Sequence, residues 1–480
     1  MKRRWLKAVL PASASLVLLL SSMAHGALQQ QEEIVKGRIV EKVVCKADAK
    51  QAYALYLPSS YTPEKRWPIL YAFSPDSQGR IPVERFQEAA EKYGWIVAAS
   101  LTSKNGSLRE SIDAAKTLWD DTHARFSIDE RRVYTTGFSG GARVAVWAGY
   151  LCDGCVAGVI GHGAGFHEQI TPTSSTPASS IHFVFYGTIG TDDFNFGELK
   201  NLDQVLSTIG LPHRIVTFEG AHAWAPKEIC MRALEWMEIQ AIRAGKRQRD
   251  QALVEELWKR DTDSARRAEA EKRVYDAYIA YAALVEDFRG LRDVSETEQR
   301  LAQLKETAEV RKGFKEDREQ IKRQQMLEGQ LRAFQERRKD VEQRAQAAAD
   351  FTRVLGDLRK KSKETEDSAE RRVARRTLNG VFAFYFESAM SLLQRQKDYP
   401  IAVFNLEAAA EIAQNNPFVI YELATAYALN GEKKRALEAL KRAVEKGFTD
   451  LPRMNSSQAL EPLRKESEYQ KIVESIQQKR

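Results

Sequence analysis

The chain has 480 residues, 43% of them hydrophobic and 29% charged, with a formal net charge of +7. That length exceeds one ordinary domain and points to about three. Four of the positive charges, Lys2, Arg3, Arg4 and Lys7, sit in the first seven residues, so the remainder is near +3 and makes no case for nucleic acid.

The amino terminus has its own logic. "MKRRWLK" is cationic, "AVLPASASLVLLLSSM" is apolar but broken by a proline, and "AHGA" offers small residues for cleavage. This predicts a secretory signal peptide over residues 1–26, cut after Gly26, with an uncleaved membrane anchor as the alternative. The run is short of the ~20 apolar residues usual for a span. The mature protein is therefore expected to be exported, periplasmic or extracellular, with no integral membrane segment. Cys45, Cys152, Cys155 and Cys230 remain. "CDGC" lacks a second pair at matching spacing, so no metal is expected; a local Cys152–Cys155 bridge or no bridge at all stay open.

Residues 27–243 alternate short apolar runs with helical periods. "RIVEKVVCK" and "QAYALYLP" alternate inside and outside, an antiparallel start. "WPILYAFS", "GWIVAAS", "RRVYTTG", "VAGVIGHG", "IHFVFYG" and "HRIVTFEG" are continuously apolar or nearly so, as suits strands buried on both faces of a parallel sheet. With "PVERFQEAAEKYG" and "SLRESIDAAKTLWDDTHARF" between them, a doubly wound, mostly parallel α/β sheet is predicted.

From 244 to 376 proline disappears and Lys, Arg, Glu and Gln dominate. Apolar residues recur every seventh position at Leu327, Phe334, Val341, Ala348 and Leu355, the period of a coiled-coil seam. Arg338 and Thr352 fall on the second seam position, which weakens a dimer zipper. A spacer folded back on its own hairpin and an intermolecular coiled coil are both compatible with this pattern.

Residues 377–480 carry a repeat. "YPIAVFNLEAAAEIAQNNP" overlays "KKRALEALKRAVEKGFTDL" at an offset of 34, matching Ala402 with Ala436, Leu406 with Leu440 and Ala409 with Ala443. Between them "NPFVIYELATAYALNGE" has small and large residues around Leu423, Ala424, Tyr427 and Ala428, and Gly431 ends it. This resembles tetratricopeptide repeats over roughly two units. "LEPLRKESEYQKIVESIQ" is expected to supply a capping helix. The resemblance implies a protein partner for this region.

The stretch "RRVYTTGFSGGARVAVWAGY" holds a Gly-x-Ser-x-Gly from Gly137 to Gly141. A β-rich run precedes it and a helical one follows, so Ser139 is placed on a strand-to-helix turn. Side chains at Gly137 and Gly141 would collide with the neighbouring strand and helix. The Gly140 N–H, at a helix start, is a natural oxyanion donor. A serine hydroxyl needs a base and an orienting acid. "RIVTFEGAHAWAP" offers His222 after a late strand, and "GTDDFNFG" offers Asp192 or Asp193 after the strand before it. The order serine, aspartate, histidine is that of the α/β-hydrolases.

On "GFSGGAR" and "GAHAWAP", residues 27–243 resemble the α/β-hydrolase superfamily, nearest its secreted polyhydroxybutyrate-depolymerase and feruloyl-esterase-like branch. The resemblance implies Ser139 as nucleophile, His222 as general base and acid, and an aspartate to orient it. Asp193, directly before "FN", is favoured, with Asp192 as the alternative acid. The second oxyanion donor is expected in "AFSPDSQGR". Pro75 has no N–H, which leaves the backbone of Ser74 or Asp76. Phe138 and Trp224 are candidate pocket residues, with a core position as the competing reading of Trp224. His162 and His167 read as hydrogen-bonded loop residues rather than ligands. "FHEQITPTSSTPASS" holds few large apolar residues, unlike a lipase lid.

The implied activity is an exported serine esterase acting on an ester substrate without cofactor, joined to a repeat module. A non-catalytic interaction scaffold on a hydrolase fold is the alternative, and a serine peptidase a further one.

Overall fold

The computed structural model describes residues 34–478; the expected signal peptide lies outside them. Eight strands form one sheet: β1 (Ile39–Val44), β2 (Ala52–Tyr56), β3 (Trp67–Phe73), β4 (Ile96–Ser100), β5 (Ile128–Phe138), β6 (Gly158–His162), β7 (Val184–Gly190) and β8 (His213–Phe218). Their spatial order is β1-β2-β4-β3-β5-β6-β7-β8. The β1–β2 and β2–β4 pairs are antiparallel and every other pair is parallel. This is the order and polarity of the α/β-hydrolase fold.

Edge strand β1 buries Val40 and Val43 and exposes Glu41 and Lys42 between them, whereas β3, β4 and β6 are buried at every position. β2, expected to alternate, is also buried at every position, because it lies inside the sheet between β1 and β4. Five helices cover the sheet: α1 (Arg80–Tyr93), α2 (Leu108–Arg125), α3 (Gly140–Leu151), α4 (Phe196–Ile209) and α5 (Lys227–Arg243). One face packs on α2, α3 and α4 through Leu118, Ala145, Leu199 and Leu206. The other packs on α1 and α5 through Phe86, Ala90, Leu234 and Met237. The sheet is thus buried on both sides, and its polar work is confined to the loops at the strand ends.

The rest of the chain is helical: α6 (Gln251–Ala270), α7 (Val274–Phe288), α8 (Ser295–Lys305), α9 (Ala308–Arg337), α10 (Arg344–Ser362), α11 (Ala369–Ser391), α12 (Tyr399–Ile412), α13 (Pro417–Leu429), α14 (Lys433–Glu445), α15 (Leu451–Ser456) and α16 (Ser467–Gln478). Leu253, Val254 and Leu284 of α6 and α7 bury Ile239 and Ile242 at the end of α5.

The seven-residue seam is not one continuous helix. Val341 falls in the turn between α9 and α10 and is 79% exposed. The chain reverses there, and Leu327, Leu331 and Phe334 of α9 share a core with Phe351, Leu355 and Leu358 of α10. The two polar seam residues have a shared partner, since Arg338 Nη1 (2.8 Å) and Thr352 Oγ1 (2.7 Å) both donate to Glu411 of α12. The expected division at residue 376 falls inside a helix. It cuts through α11, which serves at once as the last helix of the charged region and the first of the carboxy-terminal stack.

Helices α11/α12 and α13/α14 form successive hairpins. All six residues matched at the 34-residue offset are fully buried at 0% exposure: Ala402, Leu406, Ala409, Ala436, Leu440 and Ala443. Alanine at these positions lets helix axes approach closely, and leucine fills the space beside it. Tyr469, Ile472 and Ile476 of α16 close the same core. The capping helix starts only at Ser467, because the preceding segment with Pro462 forms a 3₁₀ turn over Gln458–Leu463.

Candidate active site

Ser139 is the residue between β5 and α3, with φ 53° and ψ −121°. A non-glycine residue at positive φ is strained, and here the turn that strains it lifts its hydroxyl off the end of the sheet. The flanking glycines follow from close backbone approach. A Cβ on Gly137 would lie 2.1 Å from Gly141 O, and one on Gly141 would lie 2.1 Å from Phe73 O. The Ser139 N–H donates to His162 O at 2.9 Å, which ties the turn to the end of β6.

His222 comes from the loop between β8 and α5. Its Nε2 lies 2.9 Å from Ser139 Oγ, and its Nδ1 lies 2.9 Å from each carboxylate oxygen of Asp193. Asp193, in the loop after β7, is 0% exposed. Its Oδ1 also accepts the Asn195 N–H at 2.9 Å, and Asn195 Nδ2 donates to Gly163 O at 2.8 Å. The imidazole sits between two rings, Phe138 at 4.6 Å and Phe194 at 4.3 Å between centroids. Gly163, at φ +66°, supplies the floor; a Cβ there would come 3.0 Å from His222 Cε1 and 3.1 Å from Asp193 Oδ2.

Of the two candidate acids, Asp193 meets the histidine and Asp192 does not. Asp192 Oδ2 accepts from Arg375 Nη1 of α11 at 2.8 Å. Gly140 opens α3 directly after the serine. Ser74 is buried beside the turn, its backbone nitrogen 3.2 Å from where a Gly141 Cβ would sit. Its hydroxyl donates to Asp76 Oδ1 at 2.5 Å, shaping the loop after β3.

Trp224 takes the core position rather than the pocket one. It is 7% exposed and packs with His162 (5.0 Å) and Phe138 (5.9 Å) inside the α1/α5 core. Phe138 lies above it and carries the contact with His222. His162 is fully buried, bonded through Nδ1 to Thr188 Oγ1 at 2.8 Å, and burial drives its pKa down to about 3. His167 accepts the Gln169 N–H at 3.3 Å, capping a short 3₁₀ turn. Cys152 and Cys155 form a disulfide, while Cys45 and Cys230 are buried thiols pushed up to about 12 by burial.

Several residues around the site were not singled out from the sequence. Arg143 of "GFSGGAR" forms a two-pronged bond with Glu198 (2.8 and 3.1 Å) and donates to Phe166 O at 2.5 Å, so it staples α3 to α4. Asn105, in the loop after β4, places Oδ1 only 1.9 Å from where a Gly140 Cβ would be. Its N–H donates to Pro75 O at 2.8 Å. An Asn-Gly pair at 105–106 is a local turn signal, and nothing local connects such a turn to a motif 35 residues on.

Among solved structures the chain is similar to a ferulic acid esterase, at 15% identity over 41% of this chain and 95% of the other, with a TM-score of 0.33. It is also similar to Est1E from Butyrivibrio proteoclasticus, at 13% identity over 42% and 99% of the two chains, TM-score 0.33. A third is an S-formylglutathione hydrolase from Staphylococcus aureus, at 16% identity over 39% and 90%, TM-score 0.30. No protein-family model and no curated protein matches the chain.

Proposed function

We propose that the chain is a serine hydrolase acting on carboxylic esters. The unbroken path from buried Asp193 through both nitrogens of His222 to Ser139 Oγ, each link 2.9 Å, carries this reading. In it, Ser139 Oγ attacks the ester carbonyl while His222 Nε2 takes its proton. The developing oxyanion is held by backbone N–H groups, Gly140 first and Ser74 second. His222 then protonates the leaving alkoxide, and water repeats the sequence to release the acid. Asp193 keeps Nδ1 protonated and stabilises the imidazolium as it forms. Each oxyanion donor is worth ~100-fold or more in rate.

The ester preference rests on the resemblance of "GFSGGAR" and "GAHAWAP", not on a pocket shape. A panel of acyl esters, including hydroxycinnamoyl and hydroxybutyrate esters, tests it against wild type and Ser139→Ala. Ser139-dependent turnover of at least one ester is expected; turnover of peptide substrates alone would sink the ester assignment.

The carboxy-terminal hairpins are proposed as a tetratricopeptide-like module that binds a protein partner, on the strength of the six buried residues repeating at 34. Export through the leader is proposed too, and amino-terminal sequencing of the mature protein checks it, with Ala27 expected first.

A further inference from the structure

The acid of the proposed triad sits on a loop, and loops at strand ends are ordinarily the mobile part of an α/β fold. Here the loop is held from outside by helices far along the chain. Arg376 of α11 donates through Nε to Thr191 O at 2.5 Å, and its guanidinium lies 3.6 Å over the Phe196 ring. Arg375, the residue before it, holds Asp192 at 2.8 Å. Gln324 of α9 donates to Phe194 O at 2.8 Å, and the Phe194 ring lies against His222. Gly380, one turn beyond Arg376, brings α11 so near that an added Cβ would come 3.3 Å from Phe194 Cβ. Thr191, Asp192 and Phe194 are therefore each anchored by the helical region, with Asp193 in their midst.

Arg376 is the telling member. It is 1% exposed, and its hydrogen-bond acceptors are a carbonyl and, at 3.4 Å, the side-chain oxygen of Gln320. Burial pushes its guanidinium down to about 10. A buried cation bonded to neutral acceptors is an expensive way to fill space, and an apolar side chain of like volume is often as stable or more so. What arginine adds is a fixed, directional donor at one carbonyl of the acid loop.

We propose that Arg376 is a positioning residue for Asp193, acting through the Thr191 carbonyl, and that α11 is part of the active site rather than only a tether for the repeats. The proposal rests on the triad reading above. A carboxylate displaced by an ångström from the imidazole loses much of its effect on the transition state.

The test uses full-length Arg376→Met and Arg376→Lys, with kcat, KM, the pH profile of kcat/KM and urea denaturation measured on p-nitrophenyl acetate as substrate. Arg376→Met is expected to lower kcat by roughly 10- to 100-fold with KM within about twofold. The acid limb of its profile should move, because the placement of the Asp193 carboxylate against the imidazole changes. Arg376→Lys should give an intermediate kcat with a smaller shift of the same sign. Should Arg376→Met fail to fold, the lysine variant carries the test alone. Wild-type kcat and an unmoved acid limb in the folded variants would overturn this proposal while leaving the triad intact. Absence of Ser139-dependent turnover in the wild type would overturn both.

Discussion

Arg375 Nη1 lies 2.8 Å from Asp192 Oδ2, joining residues 183 apart in the chain. The pair turns Asp192 towards α11 and leaves its neighbour as the carboxylate facing His222. Replacing each acid should therefore separate two roles. Asp193→Asn removes the group that fixes the imidazole tautomer and should lower kcat by about 10⁴-fold. Asp192→Asn loses one partly exposed ion pair and should cost about tenfold at most. Equal losses in steady-state kcat would contradict the assignment of Asp193.

Glycine positions should divide sharply by their surroundings. Gly141→Ala drives a Cβ against the Phe73 carbonyl, which cannot rotate away, and should destabilise by about 3 kcal/mol or more. Gly329 sits inside α9 with open space where a Cβ would go. Gly329→Ala should add about 0.5–1 kcal/mol. Urea midpoints of the two variants check both signs, and a Gly141→Ala protein as stable as wild type would be inconsistent with the packed turn.

His162 makes a pH prediction. Its pKa, about 3 in the fold, is depressed from an ordinary 6.5 by burial first and by the Arg85 charge second. The neutral ring is thus bound in the folded state, and its contribution is present above pH 6.5 and lost as pH falls from there towards 3. Between pH 7 and 5 this amounts to about 2 kcal/mol. His162→Gln should flatten that part of the stability profile; an unchanged slope would count against it.

The Cys152–Cys155 bond closes a sequence separation of only 3, so its effect on the unfolded chain is small. Loop-closure arithmetic gives about 2 kcal/mol. The Cys152→Ser/Cys155→Ser protein should lose that much by denaturation and keep its turnover, since neither cysteine touches the site. Loss of turnover in the folded double variant would show that the bridge does more than shorten the unfolded chain.

What could be read from the sequence divides along a physical line. Strand identity, the serine turn and His222 are written locally, in apolar runs and in glycines that back into neighbouring chain. Asp193 was legible from order along the chain, but its preference over Asp192 becomes physical only with Arg375, which belongs to a helix no local pattern connects to that loop. Trp224 was ambiguous for a similar reason: a tryptophan beside a histidine suits a pocket or a core, and the packing of Phe138 and His162 around it decides for the core. The seven-residue pattern misled at Val341, because periodicity continued across a turn that reverses the chain. The acid-loop clamp was invisible, since its members Gln324, Arg375 and Arg376 sit in a stretch whose composition speaks only of solvated helix.

The account's central claim is that Ser139 is an activated nucleophile. Its most direct measurement is the reaction of the full-length protein with a fluorophosphonate, followed by mass spectrometry of the modified peptide. The expected result is one adduct on Ser139, absent in Ser139→Ala and formed at least ~100-fold more slowly in His222→Ala, which lacks the base. Equal labelling of wild type and Ser139→Ala, or no labelling of the folded wild type, would contradict it.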